Sequence, residues 1–489
     1  MTFICETCRT DRLAQEDEFV KQAVVVIHGI GEQRPMDTLR AFADAVLPDV
    51  EPGKEKFWSK PDKLSDLFEL RVLQSTSRNR TDFFEYYWAH HVKGTRASHL
   101  ISWGIELLWC PKKTVPRQLL ALWTLGWVLT TAFVAFAFVG MGSFAAPFRA
   151  NSGAQPFSAY WLIGAAISAV IQFFVLQYVG DAARYLSPSP KNVAIRQKIR
   201  AEGVKLLRTL HERGYDRIVV VGHSLGSVIG YDIITTLWHE YHKDLDKLAG
   251  ADAELVRRFT DGEALQPTVS GELPSAGSDL TDVFIYEKLQ RFRDAQHDAF
   301  LEQKRLGNPW RISDFITLGS PLSHAPFLLA RSPADFDRYK RQKELPTCPP
   351  ILDEKGYAFA QRAPIQLGQR KFTPLVLHHA APFAVTSWTN IFFRARYGLF
   401  GDFVGGPLAK LFGFGLLDVE IIGNKDFGIL GYTPLVHTRY WSKRAIALRQ
   451  RTRANFPLGQ GEVETSFRSV NELRTALRLA RLRKYIDRS

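Results

Sequence analysis

One serine of the chain lies between two glycines at a point where the hydrophobic pattern changes period. Ser224 stands two residues after Gly222 and two before Gly226, within RIVVVGHSLGSVIGYDII. The β-branched run at 218–221 predicts a strand buried on both faces, whereas the apolar residues after Gly226 recur at helical spacing. A serine at such a junction has a strained backbone that projects its hydroxyl from the sheet edge, and small residues must flank it. The pattern predicts a nucleophilic Ser224; the alternative is a glycine-rich turn with a chemically idle serine.

A serine hydroxyl becomes a nucleophile at neutral pH when a base lies within hydrogen-bond reach and a carboxylate orients that base. Three downstream segments predict strands or loops that could carry such groups. They are the strand at 312–318 with its small-residue turn, the strand-like run that begins at residue 388 and precedes Asp402 in GDFVGG, and YTPLVHTRYWS with His437 in a loop.

Segments upstream of Ser224 supply the remaining elements. Residues 22–33 predict a buried strand ending at His28 and Gly29, residues 36–47 a helix, and residues 83–91 a further strand. Residues 192–213 predict a helix that leads directly into the strand before Ser224. Strands that alternate with helices predict an α/β fold with a mostly parallel sheet.

Composition limits the classes of function. The chain has 489 residues and a formal net charge of +13, which favours binding to an anionic partner such as a membrane surface or a nucleic acid. No nucleic-acid-binding module accompanies the charge. Four cysteines are too few and too scattered for a disulfide framework, and Cys5 and Cys8 form a lone C-x-x-C. We expect no nucleic-acid partner, no cofactor and no metal. Residues 1–22 form a polar tail without the apolar core of a secretory signal.

Two long windows contain no charged residue, at 118–148 and 151–180, with Arg149 between them. Each exceeds the roughly 20 residues that cross a bilayer, and aromatic residues lie toward the ends. We predict a transmembrane hairpin at 116–185, with spans at about 119–140 and 159–180. Basic residues flank the pair on the outside, so both long soluble parts are expected to face the cytoplasm. The alternative is a buried helical hairpin in a soluble protein.

The chain resembles the lipase and esterase branch of the α/β-hydrolase superfamily. The resembling features are the loop at His28 and Gly29, the Gly222–Gly226 pentapeptide, the turn at 319–321, the aspartate of GDFVGG and the terminal HTRYW. The resemblance covers residues 24–91 and 192–441. It implies Ser224 as nucleophile, His437 as general base and Asp402 as orienting acid. It also implies an oxyanion hole formed by the backbone N–H of Leu225 and one from Gly29 and Ile30.

Each assignment has a competitor. His378 and His379 compete for the role of base, and Asp418 and Asp426 compete for that of the acid. The two histidines lie in LVLHHAAPF, a predicted strand in which an imidazole is more commonly packed. Asp402 is favoured as the acid because it follows its strand directly in a glycine-rich loop. We expect His28 and His223 to shape the site rather than transfer protons.

The hairpin divides the hydrolase into two parts, residues 23–115 and 186–445. The second part includes a polar segment at 244–282 that is either a lid or a plain insertion, and a basic tail follows at 446–489. Within the tail, residues 469–489 predict a basic helix, either solvated or resting on anionic lipid. The leading hypothesis is a membrane-anchored serine hydrolase that cleaves an acyl ester, and a lipid ester is the substrate class we expect. A thioesterase, an amidase or peptidase, and a silent membrane scaffold are the alternatives.

Overall fold

The architecture is described from a computed structural model. The structure describes residues 21–29, 34–62, 70–77, 80–92, 190–243, 282–305, 308–330, 332–351, 360–362, 365–367, 370–372, 375–395, 401–423, 427–442 and 468–479, with isolated positions at 109, 112, 120–135 and 185.

An eight-stranded, mostly parallel sheet organises the described residues. Its strands are β1 (Lys21–Ile27), β2 (Phe57–Pro61), β3 (Arg71–Ser75), β4 (Arg80–Tyr86), β5 (Arg217–His223), β6 (Ile312–Leu318), β11 (Ser387–Phe393) and β12 (Leu417–Ile421). Four three-residue strands, β7 (Ala360–Arg362), β8 (Ile365–Leu367), β9 (Arg370–Phe372) and β10 (Leu375–Leu377), form two small antiparallel pairs. The order in the large sheet is β12-β11-β6-β5-β1-β4-β3-β2. The pairs β2–β3 and β3–β4 are antiparallel, and the other pairs of this sheet are parallel. The predicted α/β class with a mostly parallel sheet is confirmed.

Helices follow the strands. They are α1 (Asp37–Val46), α2 (Pro190–Glu212), α3 (Leu225–Lys243), α4 (Asp282–Arg305), α5 (Ala325–Leu328), α6 (Pro333–Arg341), α7 (Ala409–Phe412) and α8 (Arg468–Leu477). Short 3-10 helices lie at Ala89–Val92, Pro321–His324, Pro382–Ala384, Gly428–Tyr432 and Pro434–Thr438.

The central strands are buried on both faces. In β5, Ile218 and Val220 pack into one hydrophobic cluster with α2, α3 and α4, whereas Val219 and Val221 pack into a second cluster with α1 and α8. Every residue of β5 is buried. The unbroken apolar run at 218–221 is therefore explained by burial of a parallel strand between two layers of helices.

The segments before and after the predicted hairpin belong to one sheet. β1 pairs in parallel with β4 on one side and with β5 on the other. The hairpin itself, at 116–185, lies almost entirely outside the described residues, and the described positions between 120 and 135 are helical. Within the part of the chain that the structure describes, no helix combines the length and the apolar character needed to span a membrane.

The described part of the C-terminal tail packs on the sheet. Leu473 and Leu477 of α8 are fully buried in the cluster that contains α1. Arg474 donates hydrogen bonds to three carbonyls at the end of α1, those of Ala45, Val46 and Leu47, at 2.9–3.1 Å. Because the apolar face of α8 packs against protein, both alternatives for this helix, solvated or resting on lipid through that face, are wrong for residues 468–477. Residue 480 and those after it lie outside the described residues.

Candidate active site

Ser224 occupies the turn between β5 and α3. Its φ is 51°, a left-handed conformation that non-glycine residues rarely adopt. The strain is held by backbone hydrogen bonds on both sides: the Ser224 N–H donates to the Leu318 carbonyl at 2.9 Å, and the Ser224 carbonyl accepts from the Ser227 N–H at 3.0 Å. The sharp strand–turn–helix geometry expected around Ser224 is present, and strain of this kind concentrates at functional sites.

The two glycines that flank Ser224 are required by close backbone contacts. A Cβ on Gly226 would lie 2.2 Å from the Ile27 carbonyl oxygen, and a Cβ on Gly222 would lie 2.5 Å from the Ser227 Cα. Neither backbone neighbour can rotate away as a side chain could. The first turn of α3 is therefore packed directly against the end of β1, which fixes where Ser224 stands above the sheet.

Asp402 lies in the loop after β11 and is completely buried. One carboxylate oxygen, Oδ1, accepts hydrogen bonds from the Val404 and Gly405 N–H groups at 2.9 and 3.0 Å. The other, Oδ2, accepts from the Tyr440 hydroxyl at 2.7 Å. Burial raises the pKa of this carboxyl, but the neighbouring His437 and the hydrogen bonds outweigh it, and the pKa is lowered to about 2. Asp402 is therefore ionised at neutral pH despite its burial.

His437 lies in the 3-10 helix Pro434–Thr438, and its Nδ1 is 3.0 Å from both carboxylate oxygens of Asp402. An ionised carboxylate can only accept, so Nδ1 carries a hydrogen, and Nε2 is the nitrogen available to act as a base. A Cβ on Gly319 would stand 2.9 Å from His437 Cε1, so the ring lies against the turn that follows β6. Leu318, the residue before this glycine, is also the partner of the Ser224 N–H. The structure thus brings Asp402 and His437 together and places both beside the turn that anchors Ser224.

His223 connects the serine turn to the histidine loop. Its Nε2 donates to the His437 carbonyl at 2.9 Å, and the two rings lie 5.0 Å apart. Burial, followed by the neighbouring His437, lowers the pKa of His223 to about 3, so the ring is neutral and well suited to a fixed hydrogen bond. This agrees with the expectation that His223 shapes the site.

Tyr440 is a site residue that the sequence reasoning did not single out. Its hydroxyl donates to Asp402 Oδ2 and accepts from the Phe393 N–H at 3.1 Å, which connects the aspartate to the end of β11. The signal available in the sequence was its place in HTRYW, three residues after His437. Only the fold shows that this tyrosine reaches the carboxylate.

The expected oxyanion donors are partly within the described residues. Leu225 begins α3 and is fully buried, next to Ser224 at the positive end of the helix. A Cβ on Gly29 would lie 2.8 Å from the Ser224 Cβ, so the Gly29 backbone stands directly against the serine. Ile30 lies outside the described residues.

His28 orients the loop that contains Gly29. Its Nδ1 bonds the Gly29 carbonyl at 2.8 Å, and its ring stacks on Trp88 at 5.2 Å. Burial lowers the pKa of His28 to about 4, only partly offset by that hydrogen bond. A neutral, buried ring in this position fits the expected role in shaping the loop.

The competing residues have other partners. Asp418 lies on β12 and accepts from the Leu408 and Ala409 N–H groups at 2.8–3.0 Å, which caps the start of α7. His378 bonds the Ile351 carbonyl and the Ala380 N–H, and His379 is exposed near His239. Asp426 lies outside the described residues. Asp418 and His378 are thus held by backbone groups of their own surroundings, in keeping with structural roles.

Exposed apolar side chains are concentrated in the segment just before His437. The segment 428–435, which immediately precedes His437, exposes Ile429 (84% of its surface), Leu430 (47%), Tyr432 (40%) and Leu435 (54%). Scattered exposed apolar residues are ordinary, but four within seven residues beside a candidate catalytic histidine mark a surface suited to an apolar ligand.

Comparisons of the chain with known protein families, with curated proteins and with solved structures each found no match.

Proposed function

We propose that the protein is a membrane-anchored serine hydrolase of the α/β-hydrolase type, which cleaves an acyl ester through an acyl-enzyme. The observation that carries the proposal is the buried Asp402–His437 hydrogen bond beside the strained turn of Ser224. An ionised carboxylate that holds the imidazole in one tautomer, next to a serine at a strand–helix turn, is the arrangement that activates a hydroxyl.

The order of these residues along the chain supports the hydrolase type. Ser224 follows β5, Asp402 follows β11 and His437 follows β12, so each group comes after a later strand of the sheet. The carboxyl ends of parallel strands lie on one edge, which lets residues distant in sequence converge there. Nucleophile, acid and histidine in this order are the pattern of α/β-hydrolases.

The proposed reaction follows from the proton positions. Ser224 gives its proton to His437 Nε2 as Oγ attacks the ester carbonyl carbon, while Asp402 stabilises the imidazolium through Nδ1–H. The oxyanion that forms would accept from the Leu225 N–H and from the Gly29–Ile30 loop. His437 then protonates the leaving alcohol. Water, deprotonated by His437, hydrolyses the acyl-enzyme and restores Ser224.

A lipidic ester is the substrate class that we infer. The exposed apolar side chains at 428–435 would contact acyl chains close to His437. The predicted hairpin at 116–185 would hold the site near a bilayer, and the net charge of +13 would attract anionic headgroups. An ester presented by a membrane fits these three features better than a small dissolved ester does.

A cytoplasmic orientation follows from the distribution of basic residues around the hairpin. A cysteine introduced at Ser152, in the short loop between the spans, should react with a membrane-impermeant reagent outside intact cells. A cysteine at Lys198, on the exposed side of α2, should be protected until the cells are opened. The reverse pattern would place the catalytic domain outside.

The decisive test of the activity is labelling by a fluorophosphonate probe, which phosphonylates activated serines with loss of fluoride. The full chain should be labelled, and Ser224→Ala should abolish both labelling and ester hydrolysis. Ser332→Ala, which removes a serine at the start of α6, is the matched control and should be labelled at the wild-type rate. Thermal melting establishes that each variant is folded. A folded wild-type chain that is not labelled would favour the silent scaffold, and undiminished labelling of Ser224→Ala would exclude this serine.

A further inference from the structure

Three side chains with metal-ligand chemistry converge beyond the end of β4. His90 and His91 lie in the 3-10 helix Ala89–Val92, and Glu202 comes from α2. Their nitrogen and oxygen ligand atoms all lie within 4.8 Å of one another. None of the three belongs to the Ser224 site.

His90 has the orientation of a metal ligand. Its Nδ1 is 2.8 Å from the Tyr87 carbonyl oxygen, and its ring stacks on the Tyr87 ring with an interplanar angle of 11°. A carbonyl oxygen can only accept, so Nδ1 carries the hydrogen and Nε2 has the lone pair. A backbone carbonyl that holds the second nitrogen of a metal-binding histidine is a recurrent feature of metal sites.

The spacing of the ligand atoms requires little movement to receive an ion. Glu202 Oε2 is 2.6 Å from His91 Nε2 and 3.7 Å from His90 Nε2. Tetrahedral Zn²⁺ with bonds of about 2.0–2.1 Å places its ligand atoms about 3.3 Å apart, so these two separations would change by less than about 1 Å. The two histidine nitrogens lie within 4.8 Å of each other, so their separation would shorten by at most about 1.5 Å. The ion would replace the hydrogen on His91 Nε2, and that hydrogen would move to Nδ1 through solvent. The half-exposed Glu202 leaves room for water as a fourth ligand.

We propose that His90, His91 and Glu202 form a site for Zn²⁺ or a similar borderline divalent metal. Two imidazole nitrogens and one carboxylate suit Zn²⁺, Ni²⁺, Cu²⁺ and Co²⁺, whereas Mg²⁺ and Ca²⁺ prefer ligand sets made only of oxygen. This proposed site differs from the expectation, drawn from the sequence, that the protein binds no metal. That expectation rested on the cysteines and not on these histidines.

The position of the site suggests what a bound ion would do. His91 and Glu202 are separated by 111 residues, and that interval contains the whole predicted hairpin. An ion held between them would link the chain just after β4 to α2. It would thereby link the segment before the predicted hairpin to the segment after it. Tyr87, which orients His90, also packs on His28, with the two ring centroids 5.2 Å apart. The ion would therefore also stiffen the surroundings of the loop that contains Gly29.

The test is Zn²⁺ titration of the untagged full chain in detergent by calorimetry. Cys5 and Cys8 are replaced by serine in every sample, because two thiols could bind Zn²⁺ on their own. We expect one Zn²⁺ per chain and a rise in melting temperature at saturation, since an ion that binds the folded state stabilises it. Mg²⁺ should produce neither effect.

Three variants decide whether the ion is at the proposed site. His91→Ala and Glu202→Gln should each weaken Zn²⁺ binding at least about tenfold and abolish the rise in melting temperature, consistent with loss of one ligand. The control is His239→Ala, which alters a pair with His379 whose rings are 6.3 Å apart. It should bind Zn²⁺ as the parent does.

Two results would overturn the proposal. A flat Zn²⁺ titration of the parent, with a lower melting temperature of His91→Ala, would mean that the cluster is only a hydrogen-bonded His91–Glu202 pair. Stoichiometric binding that persists unchanged in both His91→Ala and Glu202→Gln would place the ion elsewhere. Because binding and melting are measured without substrate, neither result bears on the proposed hydrolase activity.

Discussion

Replacing Asp402 by asparagine should impair the proposed base by favouring the wrong tautomer of His437. Oδ1 of Asp402 accepts from two backbone N–H groups, those of Val404 and Gly405. An asparagine must keep its oxygen there, since an amide NH₂ facing two N–H donors would leave all of them unsatisfied. The NH₂ group therefore takes the place of Oδ2, 3.0 Å from His437 Nδ1. The retained oxygen is equally close to Nδ1, but the NH₂ group would compete there as a donor. It would thereby favour the tautomer with the ring hydrogen on Nε2, which cannot accept a proton from Ser224.

The expected loss of activity in Asp402→Asn follows from losing the reactive tautomer of His437 while the geometry of the site is kept. The corresponding change in a serine protease lowers turnover by about 10⁴-fold, which equals about 5 kcal/mol of barrier. The backbone around residue 402 should be kept, because the oxygen retains both N–H partners, whereas the Tyr440 hydroxyl loses Oδ2 as its acceptor. We therefore expect a folded protein with kcat/KM reduced about 10³- to 10⁴-fold.

Asp418→Asn is the matched control, because it makes the same substitution at the competing acid. Asp418 caps the start of α7, so the loss of its charge should lower the free energy of unfolding by about 1 kcal/mol. This loss is measured as a lower melting temperature. Its kcat/KM should stay within about tenfold of wild type. The assay is hydrolysis of a soluble chromogenic ester together with the rate of fluorophosphonate labelling. Activity of Asp402→Asn above about a tenth of wild type, or a larger loss in folded Asp418→Asn, would refute the tautomer argument.

Three further outcomes are expected. Gly226→Ala should destabilise the fold by about 1–3 kcal/mol or more and lower fluorophosphonate labelling, because the new Cβ would lie 2.2 Å from the Ile27 carbonyl; wild-type melting and labelling would contradict the packing argument. Leu435→Ser should lower hydrolysis of long-chain lipid in vesicles more than hydrolysis of a soluble ester, whereas Trp58→Ser, exposed elsewhere, should change neither; equal losses on both substrates would argue against an apolar contact. The pKa of Asp402 is about 2, below the ordinary value of about 3.9, so the stability that its charge contributes should be complete above about pH 4 and be lost as the pH falls through about 2. Thermal unfolding of the wild type and of Asp402→Asn across this range should converge toward low pH, and parallel curves would contradict it.

The serine turn could be predicted from the sequence because its determinants are local. A β-branched run, two glycines and a helical period lie within about twenty residues, and each has a direct structural meaning. The structure adds the reason for the glycines: Gly226 lies against the Ile27 carbonyl and Gly222 against the Ser227 backbone. Strand β6 was predicted with its observed bounds, Ile312–Leu318, for the same local reason.

The edges of the sheet were less predictable. Strands β2 and β3 are partly exposed and antiparallel, and the sequence reasoning did not identify them. The burial of β12 is incomplete, and its segment was considered only as the surroundings of a competing aspartate. Edge strands lack the continuous apolar signal of a strand that is covered on both faces. The apolar face of α8 shows the same limit, because an amphipathic helix has one pattern whether it rests on lipid or on a sheet.

The sequence by itself determined a serine at a strand–helix turn and, with the resemblance, an ordered set of candidates for the acid and the base. Only the tertiary structure decided which carboxylate faces His437. Asp402 and Asp418 both lie near strand ends in glycine-rich surroundings. In the fold, His437 and Asp402 lie together beside the turn at Gly319 and are hydrogen-bonded to each other. Asp418 instead accepts hydrogen bonds from backbone N–H groups at the start of α7. The contacts of Tyr440 with Asp402 and of His223 with the His437 carbonyl span 38 and 214 residues. Contacts over such separations depend on how parallel strands are ordered in the sheet, which local patterns do not encode.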